Sequence, residues 1–352
     1  MKRMKNKIFE TSRSCSHILS NKSKMTKGQV KCSRAECDLG ITLNGGQSFR
    51  WVALEDGKSY RGVFAGRVWT LNQDDNNIIY TVHEKLQDTN YEKIVSNYFR
   101  FDISLKENLE KWSVVDKNVQ KALESVGGVR ILNQDIVENL FAFICSSNNN
   151  IIRISSMVEK LCRFFGKKLC DLDGKEYYNF PKIETLATKK VESILKTEGF
   201  GYRAAYIVKT AQKLKELGGR TWLSSLHKDN NSSYEFAKEN LESLPGVGPK
   251  VADCVCLMSL GHLEAIPVDT HIYQVAAANY MPNLKKVKSV TPKIHREVSD
   301  HLRELWGPLA GWAQAIVFCA KINNNQSSQK VNGKKRKSDS SVNEKVGSKK
   351  KT

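Results

Sequence analysis

The chain has 352 residues, 40% of them hydrophobic, with a formal net charge of +19. This is enough apolar sequence for one large or two to three small domains, and no apolar run reaches the length of about 18 residues that a membrane-spanning helix needs. The charge suggests a polyanionic partner, but residues 1–30 carry +7 and residues 321–352 carry +8. The body between them is nearly neutral, so its affinity for a nucleic acid has to come from local motifs.

In chain order, residues 1–30 read as a disordered basic tail, polar and without sustained periodicity. The segment is acid-poor like a mitochondrial transit peptide, but Lys-rich rather than Arg-rich. Residues 31–127 read as an α+β domain. From Asp38 to His83, short β-branched and aromatic runs are broken by turn signals at Gly45-Gly46, Asp56-Gly57 and Asp74 to Asn77. Gly57 is expected to turn the chain between Trp51–Leu54 and Tyr60–Phe64, within an antiparallel sheet that has a helix over Tyr91–Phe99.

From Gln134 to Lys321 the pattern changes to helical period, defining a helical domain over residues 128–322. Helices are expected over Ile136–Ser146, Ile152–Phe165, Arg203–Leu217, Ser233–Leu241, Lys250–Leu260, Thr270–Tyr280, His295–Trp306 and Ala310–Ala320. Residues 323–352 read as a second disordered basic tail. Within it, Lys334-Lys-Arg-Lys337 suggests a nuclear localisation signal or a non-specific nucleic-acid patch.

The nine cysteines are odd in number, irregular in spacing and often set in apolar runs, which suggests reduced, buried thiols in an intracellular protein. Cys254-x-Cys256 lacks the second pair of a zinc knuckle, and no four-cysteine cluster suits an iron–sulfur centre. No metal and no cofactor are expected.

The densest signal is Leu244-Pro-Gly-Val-Gly-Pro-Lys250. Gly246 and Gly248 offer backbone conformations closed to residues with a Cβ, and a close approach to the main chain. The helix that follows opens on Pro249, and its free N–H groups form an anion site that would hold a DNA phosphate without reading sequence. An ordinary turn between helices is the plain alternative. Lys250 stands where a cation opposes the helix dipole, and a neutral amine is a nucleophile; a solvent-exposed lysine touching phosphate fits the spacing equally well. Cys254 shares its helix face. Asp269, in Ala265-Ile-Pro-Val-Asp-Thr-His271, suits both a helix N-cap and a carboxylate beside a developing cation. The polar block Ser146–Asn150 suggests a broken helix with amides offered outward. Gly46, beside Gly45, reads as a strand edge open to close backbone approach. Gln314 and Phe318 lie four apart on one helix face.

The segment from the hairpin through Val268-Asp-Thr-His271 resembles the helix–hairpin–helix, Gly/Pro-rich loop, aspartate superfamily of base-excision DNA glycosylases. More closely, residues from about Cys37 to Lys321 resemble the eukaryotic 8-oxoguanine DNA glycosylases. The resemblance rests on Gly46-Gln-Ser-Phe-Arg-Trp51, Phe143-Ile-Cys-Ser-Ser-Asn-Asn-Asn150, Gly201-Tyr-Arg203, the hairpin, Val251-Ala-Asp-Cys254, Trp306-Gly-Pro and Ala310-Gly-Trp-Ala-Gln314.

The resemblance implies a TATA-binding-protein-like first domain and a bifunctional glycosylase/lyase acting on double-stranded DNA that contains oxidised guanine. Lys250 would attack C1′ and Asp269 would stabilise the sugar cation. Gly46, Cys254, Gln314 and Phe318 would recognise the base. Tyr202 would wedge into the gap, while Asn148, Arg153 and Arg203 would satisfy the orphaned cytosine. His271, Gly246 and Gly248 would hold phosphates. The expected form is a monomer in the nucleus, with the mitochondrion as the alternative and no membrane partner. The lysine-rich stretch from Ala278 to Thr291 and the two tails fall outside the match. Rival readings are a glycosylase of the same superfamily for another base, and a helix–hairpin–helix module that binds DNA without cutting it.

Overall fold

The computed structural model describes residues 25–83, 89–286 and 289–323. Most of both predicted tails lies outside these residues. The first tail is shorter than expected, however, because Thr26–Lys31 is a strand, β1. It is followed by a short helix, α1 (Leu39–Asn44), whose N–H at Ile41 is capped by Asp38.

Strands β2 (Val52–Ala53), β3 (Tyr60–Phe64), β4 (Arg67–Gln73) and β5 (Asn77–Val82) complete an antiparallel sheet of order β1-β5-β4-β3-β2. The β3–β4 link is two residues long, Ala65-Gly66, both at positive φ, which matches the twist of the flanking strands. Helix α2 (Tyr91–Phe99), over the predicted residues, packs Tyr91, Val95, Tyr98 and Phe99 onto Phe64, Trp69, Leu71, Ile78 and Val82 of the sheet.

Helices α3 (Leu105–Val115) and α4 (Lys117–Leu123) precede α5 (Ile136–Ser146), where residues from Asn139 to Cys145 are all buried. Next come α6 (Ile151–Phe165), α7 (Ile183–Leu186), α8 (Lys189–Thr197), α9 (Arg203–Leu217), α10 (Arg220–Ser225) and α11 (Tyr234–Glu242). The series closes with α12 (Pro249–Ser259), α13 (Thr270–Asn279), α14 (Pro292–Trp306) and α15 (310–323). Helix α5 packs against α6, α9, α10 and α12, and so forms the axis of this part.

Side-chain caps mark several starts: Asp135 at α5, Asn150 at α6, Ser233 at α11 and Thr291 at α14. The region was expected to be helical throughout, but it contains a hairpin, β6 (Lys168–Leu172) and β7 (Lys175–Tyr178). Its two-residue turn, Asp173-Gly174, is again at positive φ, and Tyr177 packs on Val63 and Val68 of the main sheet. The helical run 292–323 is long and apolar enough to cross a membrane by composition alone. It is broken by a 3-10 turn at Gly307–Leu309, and its apolar side chains lie in the core.

The two parts meet at Arg130, whose side chain is fully buried. Its guanidinium donates to the carbonyls of Phe99 (2.9 Å), Ile103 (2.9 Å) and Arg100, and to the Glu36 carboxylate (3.2 Å). It also lies over Trp312 of α15, 4.7 Å from the ring centre. The strap around it is stitched to the α1 side, where Gln47 Nε2 donates to the Arg130 carbonyl (2.7 Å) and Arg130 N donates to Thr42 Oγ1 (3.2 Å). On the α15 side, Trp312 Nε1 donates to the Val129 carbonyl (2.7 Å). Replacing Arg130 by methionine removes the ion pair to Glu36 and a donor to three carbonyls, while Glu36 keeps the N–H groups of Leu105 and Lys106 and the Arg100 carbonyl keeps that of Ile103, so Arg130→Met should lower stability by about 1–3 kcal/mol. Guanidinium unfolding measures this, and a loss below about 1 kcal/mol would contradict the clamp.

Candidate active site

The hairpin between α11 and α12 is held to α9. Gly246 sits at φ +78°, and a Cβ there would lie 2.6 Å from Tyr206 Cγ. The Thr210 hydroxyl, one turn further along α9, donates to the Pro245 carbonyl. Only glycine fits Gly246. Gly248 corrects the expectation made for both: its φ of −104° and ψ of −179° are ordinary extended backbone. A Cβ added there would meet nothing within 4 Å. Its missing side chain leaves the front of α12 open instead. Pro249 occupies the first turn and no side chain caps the helix, so its first N–H groups are available to an anion.

Lys250 is half-buried between α12 and the end of α5. Its Nζ donates to Ser146 Oγ (3.1 Å) and lies 4.5 Å from the Phe143 ring centre. It also hydrogen-bonds the Cys254 thiol one turn on, as the shared face requires. Burial pushes that thiol up to about 11, against the opposing pull of the Lys250 charge, while the Asp269 charge raises it further. The thiol therefore stays protonated near neutral pH, and the three side chains share one electrostatic neighbourhood.

Asp269 is the N-cap of α13: Oδ1 accepts from His271 N (2.9 Å) and Ile272 N (2.8 Å). These two bonds fix its rotamer. Oδ2 has no hydrogen-bond partner among the described residues, so half of the carboxylate remains uncommitted.

Gly46 is not at a strand edge. It lies in the bend after α1 at φ +76°, where a Cβ would stand 3.4 Å from Ile151 Cδ1 and 3.9 Å from Phe318 Cε1. The His271 ring meets Phe318 edge-on at 5.9 Å, so Gly46, Phe318 and His271 line one wall. The buried Nδ1 of His271 has no partner. Gln314, one turn before Phe318, is only 6% exposed; its amide makes no hydrogen bond among the described residues.

A second cluster forms where α5 breaks. Asn148 is exposed at φ +46°, whereas Asn149 turns inward to the Cys145 carbonyl (3.0 Å) and Asn150 caps α6. Of the three amides expected to face outward, only Asn148 is free of such a local role. Tyr202 is 52% exposed, and its hydroxyl donates to the Ser147 carbonyl (3.2 Å). Arg203 is 4% exposed. Its guanidinium lies under the Tyr202 ring at 4.6 Å and donates to the carbonyls of Ser147 and Asn148. Arg153 donates to the Gly199 carbonyl (3.1 Å). In this state both arginines brace the loops.

Ser146, Phe143, Ile151 and Tyr206 were not singled out from the sequence. Only Ser146 had a signal, as the first residue of the polar block. Seven of the eight described cysteines are buried.

The sequence profile of the 8-oxoguanine DNA glycosylase N-terminal domain matches residues 29–140, and that of the HhH-GPD superfamily base excision DNA repair protein matches residues 141–308. The N-glycosylase/DNA lyase of Saccharomyces cerevisiae is 38% identical over 328 residues, covering 84% of this chain and 86% of that one. The N-glycosylase/DNA lyase OGG1 of Arabidopsis thaliana is 38% identical over 297 residues, covering 83% and 80%. Among solved structures, MBOgg1 in complex with a low-affinity DNA ligand superposes with a TM-score of 0.74 at 33% identity, covering 85% of this chain and 96% of that one. The 8-oxoguanine glycosylase/lyase of Clostridium acetobutylicum, bound to double-stranded DNA with cytosine opposite 8-oxoG, gives 0.72 at 28% identity, covering 83% and 93%.

The two hairpin glycines should behave differently. Gly246→Ala forces a Cβ into Tyr206 at positive φ, and should cost on the order of 1–3 kcal/mol. Gly248→Ala should leave the melting temperature unchanged but weaken duplex binding, measured by fluorescence anisotropy. Equal destabilisation by both would refute the distinction.

Proposed function

Because the chain belongs to the 8-oxoguanine DNA glycosylase family, within the HhH-GPD superfamily of base excision DNA repair proteins, we propose that it excises 8-oxoguanine opposite cytosine in duplex DNA and then cleaves the strand. It is an N-glycosylase/DNA lyase, and formamidopyrimidine-guanine is a second substrate on the same chemistry. One arrangement carries the assignment of residues: the Lys250 amine, held by Ser146, Phe143 and Cys254 beside Asp269, which keeps one carboxylate oxygen uncommitted.

The free N–H groups of α12, with the open space before Gly248, hold a backbone phosphate. His271 holds another and braces Phe318. Extruding the base costs about a few kcal/mol, and Tyr202 fills the gap it leaves. Asn148, Arg153 and Arg203 satisfy the orphaned cytosine, the two arginines exchanging their carbonyl partners for the base edge. In the pocket, Phe318 and Cys254 take the two ring faces and Gln314 reads the Watson–Crick edge. The Gly46 carbonyl accepts from N7–H, the hydrogen that separates 8-oxoguanine from guanine. The Gln314 amide supports this, because the residue is 6% exposed while no protein group among the described residues engages its amide, which leaves it available to a base edge.

Lys250 Nζ then attacks C1′ as the C1′–N9 bond breaks. Asp269 Oδ2 stabilises the positive charge that grows on the sugar. The adduct opens to a Schiff base between Nζ and C1′. Loss of a C2′ proton, which the excised base can assist in taking up, drives β-elimination of the 3′ phosphate. The enzyme acts as a monomer and, on the Lys334-Lys-Arg-Lys337 run outside the described residues, in the nucleus.

Borohydride should trap a covalent complex on an 8-oxoguanine·cytosine duplex, and Lys250→Gln should abolish it. Asp269→Asn should slow excision on the order of 100-fold. Undiminished trapping by Lys250→Gln would refute the nucleophile, and binding without strand scission would return the chain to a DNA-binding module. Setting each of the four bases opposite the lesion tests the preference for cytosine.

A further inference from the structure

Behind the site lies a buried polar cluster that the reaction scheme does not use. Asp253, three residues beyond Lys250 on α12, is fully buried. Its Oδ1 accepts from the Tyr234 hydroxyl (2.6 Å) and pairs with Lys238 Nζ (2.9 Å), both on α11. Its Oδ2 accepts from the same ammonium (3.0 Å) and lies 3.3 Å from Nε2 of His295, on α14. That same Nε2 accepts from the backbone N–H of Val268 at 3.3 Å. Val268 immediately precedes Asp269.

The hydrogen bonding fixes the state of the ring. A nitrogen that accepts from Val268 N–H carries no proton, so the imidazole is neutral and its proton sits on Nδ1. Nδ1 is buried without a partner. A buried donor left unsatisfied is destabilising, a cost that a leucine of similar size would not incur. Burial and the Lys238 charge hold His295 down at about 3, and burial lifts Asp253 to about 6, so the ring stays neutral across the working range. Other charged or titratable groups around the cluster are Arg303, stacked on Tyr234 at 4.6 Å, His262, 6.2 Å from the Tyr234 ring, Cys256, one turn on from Asp253, and Glu242 of α11.

We propose that His295 is a positioning residue for excision: by accepting from Val268 N–H it fixes the extended segment that delivers Asp269. The inference rests on the roles given above to Lys250 and Asp269. The ring is buried on α14 and packs 3.3 Å from the Asp253 carboxylate of α12, so the peptide next to Asp269 is held from the core side. An acceptor at position 295 therefore sets the carboxylate's place relative to the amine.

The test is single-turnover excision of 8-oxoguanine by His295→Leu and His295→Asn, alongside nicking of a preformed abasic site, duplex affinity and thermal unfolding. His295→Leu should slow excision about 10-fold, in line with the cost of small displacements of catalytic groups. Nicking of the abasic site, which needs Lys250 but no glycosidic bond cleavage, and duplex affinity should stay within about 2-fold. His295→Asn, whose carbonyl can accept from Val268 N–H, should restore most of the excision rate. If His295→Leu does not fold, His295→Met replaces it as the variant without a comparable acceptor. Wild-type excision by a folded Leu or Met variant would overturn the proposal, as would Asn performing no better than either. Loss of abasic-site nicking in step with excision would also overturn it, since the effect would then be general. Wild-type trapping on both duplexes reports separately on the underlying assignment: if the wild type fails to trap, that assignment falls instead.

Discussion

One buried guanidinium joins the two structural parts that carry the candidate site. Arg130 satisfies three carbonyls from the α2–α3 connection and the carboxylate of Glu36, and its flat face packs on Trp312. Desolvating a charge this completely is costly unless each donor finds a partner, and here partners come from separate stretches of chain. The loop after α1 and helix α15 are thus brought together from opposite ends of the sequence. Gly46 is one residue from Gln47, which bonds the Arg130 carbonyl, and Gln314 is two residues from Trp312. The proposed base-recognition residues Gly46 and Gln314 are thus placed by this joint.

The sequence revealed features set by local rules. Helices α5 and α9 span the residues expected from period and capping, and Asp269 is the N-cap its place before Thr270 suggested. The hairpin was legible because proline and glycine punctuate it at fixed offsets. Strand β1 was not: only Val30 of its six residues is buried, so its lysines read as tail while its partner strand supplied the apolar face. The β6–β7 hairpin was missed despite Asp173-Gly174, since its strands are short and Tyr177 is the one buried residue in them, with little alternation to detect. Helix α1, only six residues long, leaves too little periodicity to distinguish it from a strand. Placing Gly46 at a strand edge followed from that error.

Among site residues, the sequence indicated identity better than state. Asn148, Asn149 and Asn150 look equivalent in a row, but one is exposed, one bonds backward and one caps a helix. Arg203 sits beside Tyr202 in the chain, while its donors serve the carbonyls of Ser147 and Asn148. Such differences depend on which carbonyls lie nearby after folding, and residue spacing does not encode them. Ser146 illustrates the same point: its bond to Lys250 spans 104 residues of sequence.

Helix α12 gathers functions that would otherwise need several elements. Its bare N-terminus faces an anion, Lys250 lies in its first turn, and Asp253 and Cys254 follow at the offsets of three and four that share a helix face with Lys250. At about 1.5 Å of rise per residue, the span from Gly248 to Cys254 is roughly 9 Å and rigid. A phosphate bound at the start of the helix therefore lies at a fixed distance from the amine and from the thiol in the pocket wall. Gly46, Gln314 and Phe318, which with Cys254 are the proposed base contacts, come from outside that helix. The nearly neutral body can work this way because backbone dipoles and one lysine supply the local field that its overall charge does not.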